Sequence, residues 1–217
     1  MLQKAEIGNS VTNIGNKAFS TCSSLASIVI PSSVTSIGQN AFAYCYLLSS
    51  IVIPDGVTSI GDSAFYYCYS LASIVIPDGV TSIGQSVFEY CYALANIVIP
   101  DSVTSIGKNA FYDCRCASIV IPKGVTSIGY YAFGYCDSLV GIVISNSVTS
   151  IGEYAFYYCS GMAIYDFTSH TAVPTLGNAS VFSNNPSDCV IKVPAALYDE
   201  WIAATNWSTY ASQIVAV

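Results

Sequence analysis

Charge is scarce in this sequence. Asp, Glu, Lys and Arg make up 9% of the 217 residues, Lys and Arg number only 6, and the formal net charge is -7. A nucleic-acid partner needs basic side chains to displace its counterions, so this balance argues against one. Histidine occurs once, at His170. Long apolar runs are also missing, although 53% of the residues are hydrophobic. Ser, Thr, Asn and Tyr interrupt every stretch before it reaches the roughly 18 residues of a membrane span. The opening MLQKAEIGNS has neither the basic start nor the apolar segment of a signal peptide. That leaves a cytosolic protein or a piece of a longer one. The closing ASQIVAV shows no sorting motif or anchor.

Repetition is what the chain has in plenty. Residues 51–73 read IVIPDGVTSIGDSAFYYCYSLAS, and the next 23 read IVIPDGVTSIGQSVFEYCYALAN. Cysteines fall at 22, 45, 68, 91, 114, 136 and 159, with phenylalanines at 19, 42, 65, 88, 111, 133 and 156. Glycines recur at 15, 38, 61, 84, 107, 129 and 152. Each series steps by 23 except for one step of 22, where CRCAS stands in place of a segment like CYSLAS. A deletion at a junction leaves the structural unit intact. Such a period marks a stack of identical units.

One unit runs through Leu71, Ile74, Ile76, Val80, Ile83, Phe88 and Cys91. L-x-x-I-x-I is a short strand with alternate residues facing inward. Pro77 ends ladder pairing for want of an N–H, and Asp78-Gly79 makes a turn. Val80 and Ile83 point inward again, and Gly84 permits a bend. Phe88 and Cys91, three apart, suit a helical or 3₁₀ turn on the far side. One coil alone buries too little apolar surface to offset the ordering of its backbone. Stacking supplies the difference by making the core continuous and pairing each strand with its neighbours.

The pattern L-x-x-I-x-I-P-x-x-V-x-x-I-G-x-x-x-F-x-x-C, Leu71 through Cys91, resembles the BspA-like leucine-rich repeat of bacterial surface proteins. The likeness covers roughly residues 2–159 in seven copies, and the tail is similar to the segment that follows such repeats in gut-bacterial members. It implies a curved, right-handed repeat solenoid. A parallel strand ladder would line the concave face, short helical or 3₁₀ turns the convex side, and an α+β cap would close the C-terminus. It also implies export to the cell surface, adhesion to host matrix proteins or other cells, and no catalytic residues or cofactor.

On this reading residues 1–159 hold seven repeats of 22 to 23 residues, the first truncated, and 160–217 form a lid. Leu2, Ala5 and Ile7 align with Leu25, Ile28 and Ile30, so the chain starts inside a repeat, and a fragment is expected. In the lid, Met162, Tyr165 and Phe167 continue the ladder, and CVIKVP offers a further strand. Pro194 can start a helix. Leu197 with Trp201 and Tyr198 with Ile202 form an apolar helical stripe. Asn206 is placed to cap a second short helix carrying Trp207, Tyr210, Ala211 and Ile214.

Candidate chemistry is thin. The 9 cysteines lack paired C-x-x-C metal spacing. Cys114-x-Cys116 is the only close pair, and the ladder cysteines read as small buried hydrophobes. Asp55, Asp78 and Asp101 recur at one turn position, but Ser32, Lys123 and Asn146 replace them elsewhere, far short of the oxygens calcium wants. His170 reads as a polar loop residue. Asn178-Ala179-Ser180 and Asn206-Trp207-Ser208 fit the glycosylation sequon weakly. No nucleophile–base or paired-carboxylate constellation points to an enzyme.

Two faces are candidates for partner binding. Tyr44, Tyr67, Tyr90, Tyr135 and Tyr158 each precede a ladder cysteine, and Tyr46, Tyr69 and Tyr92 each follow one. These rings should form an outward row, serving either as mutual packing or as a binding strip. The concave face should present Ser50, Val52 and Pro54; Ser73, Val75 and Pro77; Asn96, Val98 and Pro100; and Ser118, Val120 and Pro122. So flat and repetitive a surface suits an extended partner met by many weak contacts rather than a small molecule in a pocket. The expected function is therefore adhesion or protein or glycan interaction, with a host matrix protein or glycan as partner. A stalk presenting another domain, or part of a phage fibre, is the alternative.

Overall fold

The computed structural model describes residues 2–217, apart from the side chain of Asn96. The chain winds into a parallel-strand solenoid of about nine turns. Each repeat but the third, which joins its neighbours by bridges at Ser50, begins with a three-residue strand, and the paired strands are parallel and in register. The first is β1 (Lys4–Glu6), where Ala5 lies opposite Ile28, and further along Ile74 lies opposite Ile97. All seven residues read as inward in the unit Leu71–Cys91 are buried. So are the residues before the phenylalanines from Phe42 on, such as Ala64 and Ala110, which leave room for the ring.

Phenylalanine forms the spine of the core. Phe19, Phe42, Phe65, Phe88, Phe111, Phe133 and Phe156 stack in one column with centroids 5.2 to 5.6 Å apart and planes within 14°. Phe182 extends it at 5.7 Å. The ladder cysteines sit beside this column. From Cys45 on, each ladder thiol donates to the phenylalanine carbonyl of the coil before, as Cys68 to Phe42 at 3.2 Å and Cys114 to Phe88 at 3.0 Å.

Four expectations need correction. A second, two-residue strand exists in each coil, β2 (Asn13–Ile14) being the first, and Ser82–Ile83 pairs with Ser105–Ile106. Next, Phe88 to Cys91 closes with an i to i+3 hydrogen bond of 3.1 Å, but Tyr90 between them is left-handed at φ 62°. The convex side is thus built of tight turns with a left-handed third residue, not of helix. The glycine column is not there for a bend either, since no glycine has positive φ. A Cβ on Gly107 would lie 2.7 Å from the Gly84 carbonyl carbon, and one on Gly152 2.7 Å from that of Gly129. The coils approach too closely there for any side chain.

The fourth concerns the 22-residue coil. The interior passes through it undisturbed, with Phe111 and Phe133 5.2 Å apart. The concave ladder does not. Ser118–Val120 opens a five-stranded sheet running to the C-terminus, whereas Asn96–Val98 pairs only back to Ser73–Val75.

The last segment first adds a coil and then covers it. Ile164–Asp166 and Val190–Val193 extend the ladder, and Ile214–Ala216 pairs on the outside of Val190–Val193. Pro194 precedes a 3₁₀ turn, and the helix proper, α1, is Tyr198–Ala203. Asn206 stands before a 3₁₀ turn at Trp207–Tyr210 but caps nothing, because its φ is 67° and its amide donates to the Leu176 carbonyl. Ile214 belongs to the final strand rather than to a helix. Trp201 and Trp207 are buried with centroids 4.5 Å apart, and Trp207 Nε1 donates to Pro174.

Candidate interaction surface

The tyrosines are held outward by their own backbone. Tyr44, Tyr67, Tyr90, Tyr135 and Tyr158 all have φ between 58° and 63°. This conformation costs a residue with a β-carbon about 1–2 kcal/mol. It turns each N–H toward the next coil: Tyr67 donates to Glu89 at 3.0 Å and Tyr90 to Tyr112 at 2.9 Å. The rings then stack from coil to coil. Tyr44, Tyr67 and Tyr90 follow one another at 5.3 and 4.4 Å, Tyr46, Tyr69 and Tyr92 at 5.0 Å each, and Tyr135 and Tyr158 at 5.2 Å.

Sequence reasoning missed the second half of this field. Tyr66, Tyr112, Tyr130, Tyr131, Tyr154 and Tyr157 pack edge-on or stacked among the others. Tyr66, Tyr112 and Tyr157 each stand two before a ladder cysteine, and Tyr131 and Tyr154 five before, offsets that could have found them. Glu89 is buried within the field and accepts from Asn109 Nδ2 at 3.3 Å. Burial, with tyrosine and carboxylate neighbours, pushes the Tyr90 and Tyr92 hydroxyls up to about 12, so they stay protonated donors. Most of these rings are half-buried by one another, and Tyr46 and Tyr158 are the exposed ones of the eight.

The concave face is different. Val29, Val52, Val75, Val98, Val120 and Val143 stand outward at one register position, 47% to 80% exposed, with Val52 the most exposed. Serine flanks most of them, and the Asn96 side chain lies outside the described residues. A hollow of about 290 Å³ opens where the ladder is interrupted, lined by Val98, Asp101, Val120 and Pro122 among others. A second, of about 210 Å³, lies beside Val52 and Val75, where the third coil joins the concave ladder by bridges at Ser50 instead of a strand. The structure thus separates the two sets of candidate residues onto different faces, with valines free and tyrosines largely self-partnered.

The repeat matches a known family over most of its length. Residues 1–117 and 104–198 match the BspA type leucine rich repeat region, in 6 copies. The chain belongs to the BspA-type leucine-rich-repeat family. Among solved structures, this BspA-type chain is similar to a T. pallidum leucine rich repeat protein, at 35% identity and a TM-score of 0.68 over 74% of this chain and 78% of that one. A leucine rich cell surface protein of Faecalibacterium prausnitzii matches at 28% identity and a TM-score of 0.56, over 94% of this chain and 63% of its own. The pneumococcal vaccine antigen PcpA shares the fold, at 16% identity and a TM-score of 0.51, over 99% of this chain and 66% of its own. No curated protein sequence matches the chain significantly.

The remaining candidates of this BspA-type solenoid are structural. All 9 cysteines are free thiols, and all but Cys22 are buried. Burial pushes Cys45 up to about 12 and Cys68, Cys91 and Cys114 well above the ordinary thiol range. Asp55, Asp78 and Asp101 sit in turns closed by Val57 to Pro54, Val80 to Pro77 and Val103 to Pro100. Among the described residues no cluster of three His, Cys, Asp or Glu could hold a metal. Among the described residues no helix is long and apolar enough to cross a membrane. His170 corrects the sequence reading: it is 4% exposed, wedged between Phe167 at 5.1 Å and Trp201 at 6.0 Å. Burial lowers its basicity. The carbonyls of Val148 and Phe167 offset part of this without meeting either ring nitrogen at hydrogen-bonding geometry.

Proposed function

We propose that this protein is a surface-displayed interaction module whose concave valine stripe binds an extended polypeptide, with an extracellular matrix protein of a host as the partner class. One observation carries the reading: six valines in register, one per coil, each about half exposed or more. Exposed apolar residues scattered singly are ordinary, but an aligned row is the mark of an interaction surface. The stripe offers few polar groups, which favours a polypeptide over a glycan. Surface display is supported by the kinship with the cell surface protein of Faecalibacterium prausnitzii.

The test is binding of the immobilised protein to matrix proteins, mucin and polysaccharides. Val52, Val75 and Val98 changed together to threonine keep the β-branched shape and remove the apolar contact, and should weaken matrix-protein binding about tenfold or more, at ~0.5–1 kcal/mol per residue. Tyr46, Tyr69 and Tyr92 changed to serine should leave it nearly unchanged. The reverse pattern moves the site to the tyrosine flank, and no binding to any panel member sinks the reading in favour of a stalk.

A further inference from the structure

The valine stripe leaves the tyrosines without a task. Of the 17 tyrosines, all but Tyr165, Tyr198 and Tyr210 belong to one network of ring contacts reaching from Tyr44 to Tyr158. Contacting rings in it stand 4.4 to 6.2 Å apart, so an electron taken from one is readily replaced from the next. Tyr46, Tyr130 and Tyr158 are its exposed members.

The network is not uniform. Arg115 lies over Tyr92 at 5.8 Å and Lys108 over Tyr130 at 5.3 Å. A cation over a ring face holds its π electrons, so these two rings are poor places to lose one. Near Tyr66 and Tyr90 the charge is opposite. Glu89, buried beside them, favours an electron-poor ring and is a base at hand for a phenol proton. Tyr67 and Tyr90 are the closest of the stacked tyrosine pairs, at 4.4 Å and 24°, the others being 4.9 Å or more apart. The Tyr90 hydroxyl meets that of Tyr67, so the ring carbons ortho to the two hydroxyls lie alongside one another. Both backbones are pinned, Tyr67 donating to Glu89 and Tyr90 to Tyr112.

We propose that Tyr67 and Tyr90 form an oxidative cross-linking site, joined ortho carbon to ortho carbon as a dityrosine, with hydrogen peroxide as oxidant and a haem peroxidase as its agent. Each phenol gives up one electron and its hydroxyl proton. The two phenoxyl radicals pair to form one carbon–carbon bond, and the hydrogen on each joined carbon moves to the oxygen, restoring both hydroxyls. The peroxide takes up the two electrons and two protons, its O–O bond breaks, and two waters leave. A peroxidase too bulky to reach half-buried rings takes electrons at Tyr46. Tyr69 then carries the electron hole to Tyr67, through contacts of 5.0 and 5.3 Å.

The bond falls where the stack is least well tied. The third coil, which carries Tyr67, has no concave strand and joins the ladder by bridges at Ser50. Tyr90 belongs to the fourth coil, so the cross-link fastens the third coil to it from the side of the tight turns.

Treatment of the intact chain, at high dilution, with a haem peroxidase and hydrogen peroxide tests this. Dityrosine fluorescence should develop while the protein stays monomeric. Peptide mapping should place the cross-link, lighter by two hydrogen atoms, between the peptides that hold Tyr67 and Tyr90. Tyr67→Phe and Tyr90→Phe keep the ring stack but remove the phenol, and each should lose that product. Tyr135→Phe makes the same change in another stacked pair and should leave the product unchanged, which separates loss of the site from loss of the fold. No dityrosine at all, a cross-link that maps to other pairs, a product formed only between chains, or a yield indifferent to Tyr67→Phe and Tyr90→Phe would each overturn the proposal.

Discussion

The two ends of the solenoid face the same problem and meet it differently. At the C-terminal end, Phe182 closes the phenylalanine column and is itself covered by Trp207 and Tyr210 at 5.5 and 5.2 Å. The Tyr210 hydroxyl accepts from the Phe182 N–H and donates to Ala179, so even the backbone of the last coil is satisfied. At the N-terminal end, Phe19 is half-buried and Leu2 is 47% exposed. Among the described residues, coils thus differ in support by position: an interior coil has two neighbours, the last a neighbour and a lid, and the first one neighbour. In a quasi-one-dimensional stack that difference falls directly on the end unit.

The largest test of this contrast is at the column's two ends. Phe182→Ala should cost ~3–5 kcal/mol, as buried aromatic truncations do. Phe19→Ala, with one ring face already free, should cost under about 2 kcal/mol. Urea titration of both variants measures the difference, and equal costs would erase the contrast. Glycine sharpens it. A Cβ on Gly177 meets the Glu153 nitrogen at 2.6 Å, whereas one on Gly15 meets nothing within 4 Å. Gly177→Ala should destabilise by ~1–3 kcal/mol through overpacking. Gly15→Ala should be neutral or stabilise by up to ~1 kcal/mol, because a negative-φ glycine loses only chain entropy.

The smallest effect is on pH. His170 is buried under the lid with its basicity lowered from the ordinary 6.5. Below that value the unfolded chain binds the proton more readily than the folded one. Stability from this group is therefore complete above pH 6.5 and falls as the pH drops toward the folded value. His170→Phe should flatten that part of the acid limb in thermal melts, leaving the open end unaffected. An unchanged acid limb would mean that the imidazole is not held neutral there.

The interior was legible because it obeys a period. Leu71, Ile74, Phe88 and Cys91 recur at fixed offsets, and fixed offsets in a stack mean the same depth in every coil. What escaped was whatever depends on the coil next door. Gly84 and its equivalents look like bends in one repeat and prove to be contact points between two. Tyr67 and Ser63 carry left-handed torsions with no glycine to announce them, because the demand comes from an acceptor in the following coil. Phe182 joins the column after a spacing of 26 rather than 23, so the series lost sight of it. His170 has no local sign of burial, since its cover comes from Trp201, 31 positions away. The candidate faces were legible as sets of residues, while their division into free valines and self-packed tyrosines was not.

Because the left-handed residues of the repeats, such as Asn109 and Asp113, hand their N–H to the coil that follows, damage to the stack has a polarity. Asn109 donates to Tyr130 and Asp113 to Gly134. A protease nick that removed the downstream half would leave these amides strained and without acceptors, so the upstream stump would fray from the wound. The downstream half would lose acceptors too, since amides such as Thr126 and Gly129 donate back to Thr104 and Ile106, but those donors are not left-handed, and it would keep its lid.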